Sequence, residues 1–418
     1  MSNSQLTNWA GNIRFQAARV HRPGSLAELQ GIVSAAPRIR ALGTGHSFNR
    51  IADTSADLVR LEGLPADIEI DSRRGRARVP AGLRYAQVAE ELHRRGFALA
   101  NLASLPHISV AGACATGTHG SGDTQRGLAA AVAGLGLVGP QGDLDELDRD
   151  TPGDRLDGAV VGLGALGIVT HLDLDIEPTF DVAQRVRLQV PLDHLAANFD
   201  AVFGSAYSVS AFTTWRTGRA MVWQKYRLDQ GEPGPLDGPG SVPADQPMHP
   251  IEGVSPEHCT SQLDAPGPWH ERLPHFRSGF TPSAGDELQS ELILPRTAAA
   301  EALAAMDGLG ERFAPYLQVS EIRTIAADQL WLSPGYGRDS VAIHCTWVND
   351  TPAVMPLIAA VEDRLLPLGA RPHWGKLTAT APGELPTCYP HAADFARLMS
   401  GRDPKGKFRN AFVDSVFG

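Results

Sequence analysis

The sequence predicts an α+β fold with more than one domain, and three observations carry this prediction. At 418 residues, the chain is long enough for two or three domains. Its first part mixes short β patterns, such as 77–79, with an amphipathic helix over 85–95. After Pro178, several segments alternate polar and apolar residues, which is typical of antiparallel strands with one polar face.

Individual elements follow from the same patterns. A half-exposed strand is predicted over 168–176, and a second strand over 182–190 opens the part of the chain after Pro178. A helix is predicted over 192–203. A loop rich in proline, glycine and aspartate runs from 230 to about 267, and loops of that length are usually functional or mobile.

Composition and charge argue against several classes of protein. The net charge of −10 disfavours binding to a nucleic-acid backbone. Residues 1–20 lack the apolar segment of a secretion signal, and the apolar run over 128–139 is too short to span a bilayer. The four cysteines lie far apart, which argues against a disulfide framework or a zinc site. We therefore expect a cytoplasmic monomer with no nucleic-acid partner, no membrane partner and no bound metal.

The most informative motif is the segment 43–49, which reads Gly-Thr-Gly-His-Ser-Phe-Asn. Its glycines allow a tight turn, and their N–H groups can form an anion-binding nest. His46 would then be held against the ligand as a base or as a site of alkylation. The alternative is an ordinary glycine turn with a surface histidine. A second glycine-rich loop of the same chemistry, 104–122, favours ligand binding.

Together, these two loops resemble the flavin-binding loops of the vanillyl-alcohol-oxidase-type FAD flavoproteins. The resemblance implies a two-domain FAD-binding fold of that type, with FAD attached covalently to His46 through the flavin 8α-methyl group. It implies an FAD-binding domain over 1–180, to which 373–418 returns, and an α+β substrate-binding (cap) domain with an antiparallel sheet over 181–372. Segment 104–109 contains no cysteine, so a single covalent link is expected. The FAD contacts carried over from the family are Gly43, Thr44, Gly45, His46, Ser47, Ser104, Ser109, Gly112, Thr116, Gly117, Thr118, His119, Val169 and His373.

Residues 162–167 match the G-x-G-x-x-G spacing of a dinucleotide-binding fingerprint. That fingerprint requires a helix directly after it, because the helix N-terminus binds the pyrophosphate. The residues after 167 instead alternate with period two, as in a strand. We therefore predict a tight turn beside the cofactor here, and no Rossmann fold.

Three β-patterned segments, 288–294, 319–323 and 341–347, each place polar side chains on one face. A solvated sheet face would explain each segment alone. If the strands are neighbours, they combine amide, carboxylate, guanidinium, imidazole and hydroxyl groups, which suits a ligand with several hydroxyls. The polar positions are Gln289, Glu291, Glu321, Arg323, His344 and Thr346.

The segment His373-Trp374-Gly375-Lys376 resembles the His-Trp-x-Lys motif of alditol oxidases and of sugar-lactone oxidases and dehydrogenases. Taken with the loops and the polar strands, essentially the whole chain most resembles the alditol oxidases. The resemblance implies oxidation of the terminal primary alcohol of an alditol, such as xylitol or sorbitol, to the aldose. Hydride would pass from C1 to flavin N5, and dioxygen would be reduced to hydrogen peroxide. The only partners implied are a small polyol and dioxygen.

Chemistry suggests a role for each residue of this set. A fixed cation stabilises charge that develops on the alcohol oxygen and the flavin, and Lys376 is our candidate. His344 is preferred as proton acceptor because an unperturbed imidazole titrates near neutral pH. The division of roles between these two residues stays open. The catalytic set is Lys376, His344, Arg323 and Glu321, and the substrate-binding set is Ser104, Gln289, Glu321, Arg323, Thr346 and Lys376.

Two alternatives remain. A sugar-1,4-lactone oxidase or dehydrogenase shares the flavin loops and the His-Trp-x-Lys motif, but the full polar set fits an open-chain polyol better. A flavin- or sugar-binding protein without catalysis is disfavoured by the intact acid–base face. Bleaching of the flavin spectrum by substrate would separate an enzyme from a binding protein.

Overall fold

The computed structural model describes residues 6–153, 155–280 and 286–418. Among these residues, the strands form four sheets. Three sheets belong to the first part of the chain: a parallel sheet in the order β1-β3-β2, an antiparallel sheet in the order β4-β5-β9-β7-β8, and the pair β6-β10. These strands are β1 Arg19–His21, β2 Ile39–Ala41, β3 Asp57–Val59, β4 Glu69–Asp71, β5 Arg76–Pro80, β6 Phe97–Ala98, β7 Val132–Val138, β8 Leu144–Asp148, β9 Ile168–Asp175 and β10 Glu177–Pro178.

The fourth sheet is large and antiparallel, and its order is β14-β11-β13-β12-β17-β18-β16-β19, with β15 paired to β11. Some neighbours in this sheet are consecutive strands, such as β12 and β13, whereas others, such as β12 and β17, are far apart in the chain. Its strands are β11 Asp181–Pro191, β12 Ser208–Thr213, β13 Arg219–Arg227, β14 Val242–Pro243, β15 Gly267–Pro268, β16 Glu287–Pro295, β17 Leu317–Ile325, β18 Ser340–Val348 and β19 Arg371–Pro372.

Most of the helices are short, and some of them are capped by a side chain at the N-terminus. The side chain of Ser25 accepts a hydrogen bond from the Glu28 N–H at the start of the first helix, and Asp350 does the same for Ala353 before the ninth. None of the helices in the described ranges combines the length and apolar character needed to span a bilayer. They are α1 Leu26–Ala35, α2 Tyr85–Arg94, α3 Val110–Ala115, α4 Leu156–Ala159, α5 Leu192–Ala197, α6 Phe199–Phe203, α7 Ala299–Asp307, α8 Gly310–Phe313, α9 Thr351–Leu365, α10 Ala392–Arg402 and α11 Ala411–Phe417.

Three expectations about elements need correction. The helix expected over 192–203 is broken at Asn198, whose φ of −120° and ψ of 31° are not helical, so α5 and α6 are separate. The helix expected over 85–95 ends at Arg94. The loop over 230–267 is not free of strands, since β14 and β15 within it both pair with β11.

Two main apolar cores organise the chain. One lies among the N-terminal sheets and includes Phe395 and Val413 from the C-terminal helices. The other lies between one face of the large sheet and helices α5, α7 and α9, and it includes Leu303 and Val354. This distribution supports the proposed domains, 1–180 with 373–418 and 181–372, whose boundaries stay our proposal.

The glycine segment 162–167 forms a turn. Leu163, Gly164 and Gly167 have φ angles of 52°, 68° and 151°, and glycine reaches such angles with little strain. Strand β9 follows the turn directly, so no helix N-terminus is present for a pyrophosphate. The expectation of a turn followed by a strand is confirmed.

Candidate active site

A cavity of about 690 Å³ is lined by the N-terminal loops and by the polar face of the large sheet. Every site residue predicted from the sequence lines it, except Gly117. Gly117 has a φ of 70°, and a Cβ atom there would lie 2.8 Å from the Pro334 ring. Packing against Pro334 accounts for this glycine, and its assignment as a cofactor contact stays a prediction.

The histidine loop presents one free ring nitrogen. His46 stacks on Trp9 with ring centroids 5.4 Å apart, and its Nδ1 lies 2.9 Å from Thr44 Oγ1. Its Nε2 is buried and has no hydrogen-bond partner among the described residues. Burial lowers the pKa of His46 to about 4, so the ring is neutral at physiological pH. A neutral imidazole with an unused nitrogen is available for a bond to a cofactor.

The two glycine loops are joined and leave little space for side chains where they meet. The Ser109 N–H donates to Thr44 Oγ1 at 3.1 Å. A Cβ atom at Gly43 would lie 2.2 Å from Ser109 Oγ, and one at Gly112 would lie 2.7 Å from the same atom. Exposed backbone at such positions allows a flat or anionic cofactor to approach closely. Together with the free His46 nitrogen, these residues fit a flavin.

The histidine loop is also fastened to the segment that carries Lys376. The Phe48 N–H donates to the Gly375 carbonyl at 2.8 Å. The Asn49 side-chain amide donates to the carbonyls of Trp374 and Lys376 at 2.8 and 2.9 Å. Three hydrogen bonds thus fix the backbone of Lys376 relative to the loop of His46.

The polar strand residues come together as predicted, because β17, β18 and β16 are adjacent. Across the three strands, His344 pairs with Glu321 on one side and Glu291 on the other. In the next row, Thr346 pairs with Gln289. The face is not solvated: Glu291 is 2% exposed and Glu321 is 6% exposed. Its buried charges require partners inside the protein.

Glu291 lies at the centre of these charges. Its Oε2 is 2.7 Å from Lys376 Nζ, and its Oε1 contacts Arg323 Nη2 and lies 3.3 Å from His119 Nε2. Burial alone would raise the pKa of Glu291, but Lys376 and Arg323 hold it well below its usual value. The carboxylate is therefore ionised between two cations.

Glu321 is the second buried carboxylate. Its Oε2 lies 3.6 Å from Arg323 Nε, and its Oε1 lies 2.8 Å from His275 Nε2. Burial opposes ionisation, but Arg323 and His275 lower the pKa of Glu321 far below its usual value. Two carboxylates, Glu291 and Glu321, thus face the two cations Arg323 and Lys376.

His344 contacts both the cation and the hydroxyl of the site. Its Nδ1 is 3.3 Å from Lys376 Nζ, and its Nε2 is 3.4 Å from Thr346 Oγ1. Burial, and next Lys376, hold the pKa of His344 well below its usual value. The expectation that this imidazole titrates near neutral pH is therefore wrong. His344 stays neutral across the physiological range and is able to accept a proton.

Sequence reasoning assigned no catalytic or binding role to three contributors to the site. Glu291 was placed on the polar face, but its pairing with two cations depends on strand register. His275 lies in a segment without periodicity, and nothing in the sequence marked it. Arg40 lines the cavity and donates to the carbonyls of Leu163 and Gly164 at 2.8 Å each. The sequence did contain an indication of Arg40, because a charged residue within the apolar run 38–42 is unusual.

Comparison with known proteins agrees with this geometry. A family model for an FAD binding domain matches residues 17–148, and a model for D-arabinono-1,4-lactone oxidase matches residues 287–416. Alditol oxidase from Streptomyces sp. is 49% identical over 416 residues, which cover 98% of each chain. An L-gulono-1,4-lactone dehydrogenase from Mycobacterium tuberculosis is 27% identical over 435 residues, which cover 99% of each chain.

Solved structures agree on the fold. The crystal structure of cholesterol oxidase from B. sterolicum superposes with a TM-score of 0.79 at 16% identity, covering 99% of this chain and 96% of that one. A solvent-stable cholesterol oxidase gives a TM-score of 0.80 at 16% identity, covering 99% and 97%. With the FAD-binding family model, these structures confirm the predicted two-domain α+β fold of the vanillyl-alcohol-oxidase type.

Proposed function

Because this chain belongs to the alditol oxidase family of FAD-dependent oxidoreductases, we propose that it oxidises the terminal primary alcohol of alditols such as xylitol and sorbitol to the aldose. In the overall reaction, the alcohol loses two hydrogens and dioxygen becomes hydrogen peroxide. When bound, FAD supplies a hydride acceptor that dioxygen can reoxidise. The observation that carries the proposal is the buried row of His344, Glu321 and Glu291 beside Lys376, next to a loop with a free histidine nitrogen.

Lys376 and His344 have different proposed roles at the reacting alcohol, namely charge stabilisation and proton acceptance. Glu291 keeps Lys376 charged, although burial lowers the pKa of this lysine. A fixed ammonium stabilises the negative charge that develops on the substrate oxygen. His344 is neutral, and we propose that it accepts the hydroxyl proton. A weak base suffices, because the hydroxyl becomes strongly acidic as hydride leaves its carbon.

The remaining hydroxyls of the substrate bind along the strands. We propose that Glu321 accepts hydrogen bonds from them and that Arg323 donates, since both line the cavity and both are buried. Gln289, Thr346 and Ser104 also line the cavity and add hydrogen-bonding groups to it. Such a row can satisfy several hydroxyls at once, since each hydroxyl donates and accepts.

We propose that FAD is attached covalently through His46. The unpartnered, buried Nε2 and the neutral state of the ring support this attachment. We also propose that the protein acts as a cytoplasmic monomer. Size-exclusion chromatography with light scattering tests the monomer, and localisation of a tagged protein tests the compartment.

The lactone-oxidising relatives keep one alternative open, because the family model for D-arabinono-1,4-lactone oxidase matches 287–416. Purified holoenzyme should therefore be assayed for peroxide release against a panel of alditols and sugar-1,4-lactones. We expect turnover of xylitol and sorbitol and little turnover of lactones. A preference for lactones would reject the alditol proposal. Binding of alditols without flavin bleaching would reject an enzymatic role.

A further inference from the structure

One buried lysine has no role in the proposed function. Lys225 lies on β13 and is 1% exposed. Its Nζ lies 2.9, 2.6 and 2.8 Å from the carbonyl oxygens of Arg272, Leu273 and Pro274. Its fourth contact is His275 Nδ1 at 3.1 Å. Burial lowers the pKa of Lys225 to about 7. A lysine ammonium has three N–H donors, so the four acceptors around Nζ must share them.

The ring of His275 connects this lysine to the active site. Its Nδ1 faces Lys225, and its Nε2 lies 2.8 Å from Glu321 Oε1. The ring is wedged edge-on against Phe212 and Trp223, with centroids 5.4 and 5.3 Å away. Its backbone N–H donates to the Ser104 carbonyl at 3.1 Å. Packing on both sides therefore holds the ring in this orientation.

The partners of the ring determine where its proton lies. Glu321 is ionised, so a neutral ring must carry its proton on Nε2 and donate it to Oε1. Burial lowers the pKa of His275 to about 4, which keeps the ring neutral. Its Nδ1 is then a bare acceptor, and Lys225 Nζ is the donor in contact with it at 3.1 Å, whether the amine is charged or neutral. The partner of one ring nitrogen thus determines whether the proton lies on that nitrogen or on the other.

We propose that Lys225 is a positioning residue that fixes the tautomer of His275, so that Glu321 Oε1 is occupied and Oε2 alone is presented to substrate. This inference rests on the proposed function, because it assumes that Glu321 binds substrate hydroxyls. Oε2 faces Arg323 at 3.6 Å and His344 at 4.0 Å. Without the hydrogen bond from His275, the carboxylate of Glu321 would be free to rotate and present either oxygen.

The first test compares two lysines that cap backbone carbonyls. Lys407 Nζ also contacts three carbonyl oxygens, those of Val33, Ser34 and Pro140, but it does not line the cavity. We expect the Lys225→Met holoenzyme to show a KM for xylitol raised about 10-fold or more, with unchanged flavin content and nearly unchanged kcat. Lys407→Met should lower the unfolding temperature without changing KM. An unchanged KM in Lys225→Met would overturn the proposal.

A double-mutant cycle separates positioning from simple loop stability. In a Glu321→Gln background, Lys225→Met should raise KM less than about 3-fold, because the group that it positions has already been altered. His275→Gln keeps an N–H donor for Glu321 and should lose less than His275→Leu. Fully additive effects, or equal losses in both His275 variants, would overturn the proposal.

The remaining outcomes distinguish a failure of the Lys225 proposal from a failure of the proposed function. If neither Lys225→Met nor Lys225→Gln yields flavin-loaded protein, Lys225 is required for folding and the positioning role is rejected. A wild-type protein that releases no peroxide from any alditol contradicts the proposed function. A wild-type protein that is active on alditols, combined with additive cycle energies, contradicts only the role of Lys225.

Discussion

Glu321 lies directly opposite His344 in the register of β17 and β18, and its Oε2 is 4.0 Å from His344 Nδ1. The nearest carboxylate to the proposed base is thus already committed to Arg323 and His275. With Glu291 paired to Lys376, the two carboxylates balance the two cations before substrate arrives. A neutral polyol leaves that balance intact, whereas a sugar acid would bring an uncompensated charge into a buried site. We therefore expect sugar acids to bind poorly.

The charge of Lys376 should matter most for the chemical step. We expect Lys376→Met to slow reduction of the flavin by xylitol about 10²–10³-fold, since a preorganised donor is lost as charge develops. Anaerobic stopped-flow spectroscopy measures this rate directly. A reduction rate close to that of wild type, with only the dissociation constant of xylitol weakened, would mean that Lys376 merely binds substrate.

The free nitrogen of His46 should carry the flavin. Denatured wild-type protein should keep flavin fluorescence on a gel, and His46→Ala should release it. Thr44→Val removes the neighbouring hydroxyl but leaves the ring, and it should retain the fluorescent band. A band without fluorescence in wild type would contradict covalent attachment.

The Arg323 ion pairs should matter for both stability and recognition. Arg323→Ala leaves two buried carboxylates short of a cation, so we expect the free energy of unfolding to fall by about 3–5 kcal/mol. In Glu321→Gln, which preserves shape, kcat/KM for xylitol should fall about 10-fold or more. Steady-state kinetics and urea unfolding measure these effects.

The exposed pair of Arg94 and Glu91 provides the control for that experiment. Arg94→Ala should leave kcat/KM unchanged, because surface ion pairs contribute little. If both Arg323→Ala and Glu321→Gln showed wild-type kinetics, the buried pair would stabilise the fold without contributing to substrate recognition.

Buried histidines should make stability depend on pH. Burial lowers the pKa of His275 to about 4 and that of His373 to about 3, below their unfolded value near 6.5. The unfolded state therefore binds more protons than the folded state below about pH 6.5, and the free energy of unfolding falls as pH decreases. We expect a loss on the order of 1–3 kcal/mol per histidine between about pH 7 and 4.

Urea unfolding at pH 7, 6 and 5 measures this slope. Glu291 and Glu321 have lowered pKa values, so their contribution to stability is lost only below about pH 4.5 and does not enter this window. His373→Gln should flatten the slope. A stability that does not change between pH 7 and 5 would contradict the neutral state of these rings.

Local patterns predicted the faces of the strands but not their partners. Alternation placed Glu321 and Arg323 on one face because period two is a property of each strand alone. The row of Glu321, His344 and Glu291 depends on the register between three separate strands, which no single segment determines. The ion pairs, and with them the shifted pKa of His344, were therefore beyond sequence reasoning.

Lys225 and His275 illustrate two kinds of omission. A lysine inside the apolar and aromatic strand 221–226 is a recognisable signal, because lysine is rarely buried without partners. His275 carried no such signal, since it follows an irregular segment and its orientation depends on Phe212 and Trp223 from other strands. Asn198 illustrates a third kind, where a plausible apolar pattern conceals a break in the helix.

The hydrogen bonds from Asn49 to the carbonyls of Trp374 and Lys376 have a consequence for redesign. They join the loop of His46, the proposed flavin anchor, to the segment of Lys376, the proposed catalytic cation. Most of the residues proposed to recognise hydroxyls lie instead on strands of the large sheet. Libraries that vary Gln289 can therefore alter substrate preference while the flavin anchor and Lys376 stay in place. Thr346 is a poorer choice, because its hydroxyl contacts the proposed base His344. Substitutions at Asn49 would disturb anchor and cation together, so this position should be held constant in any directed evolution of the enzyme.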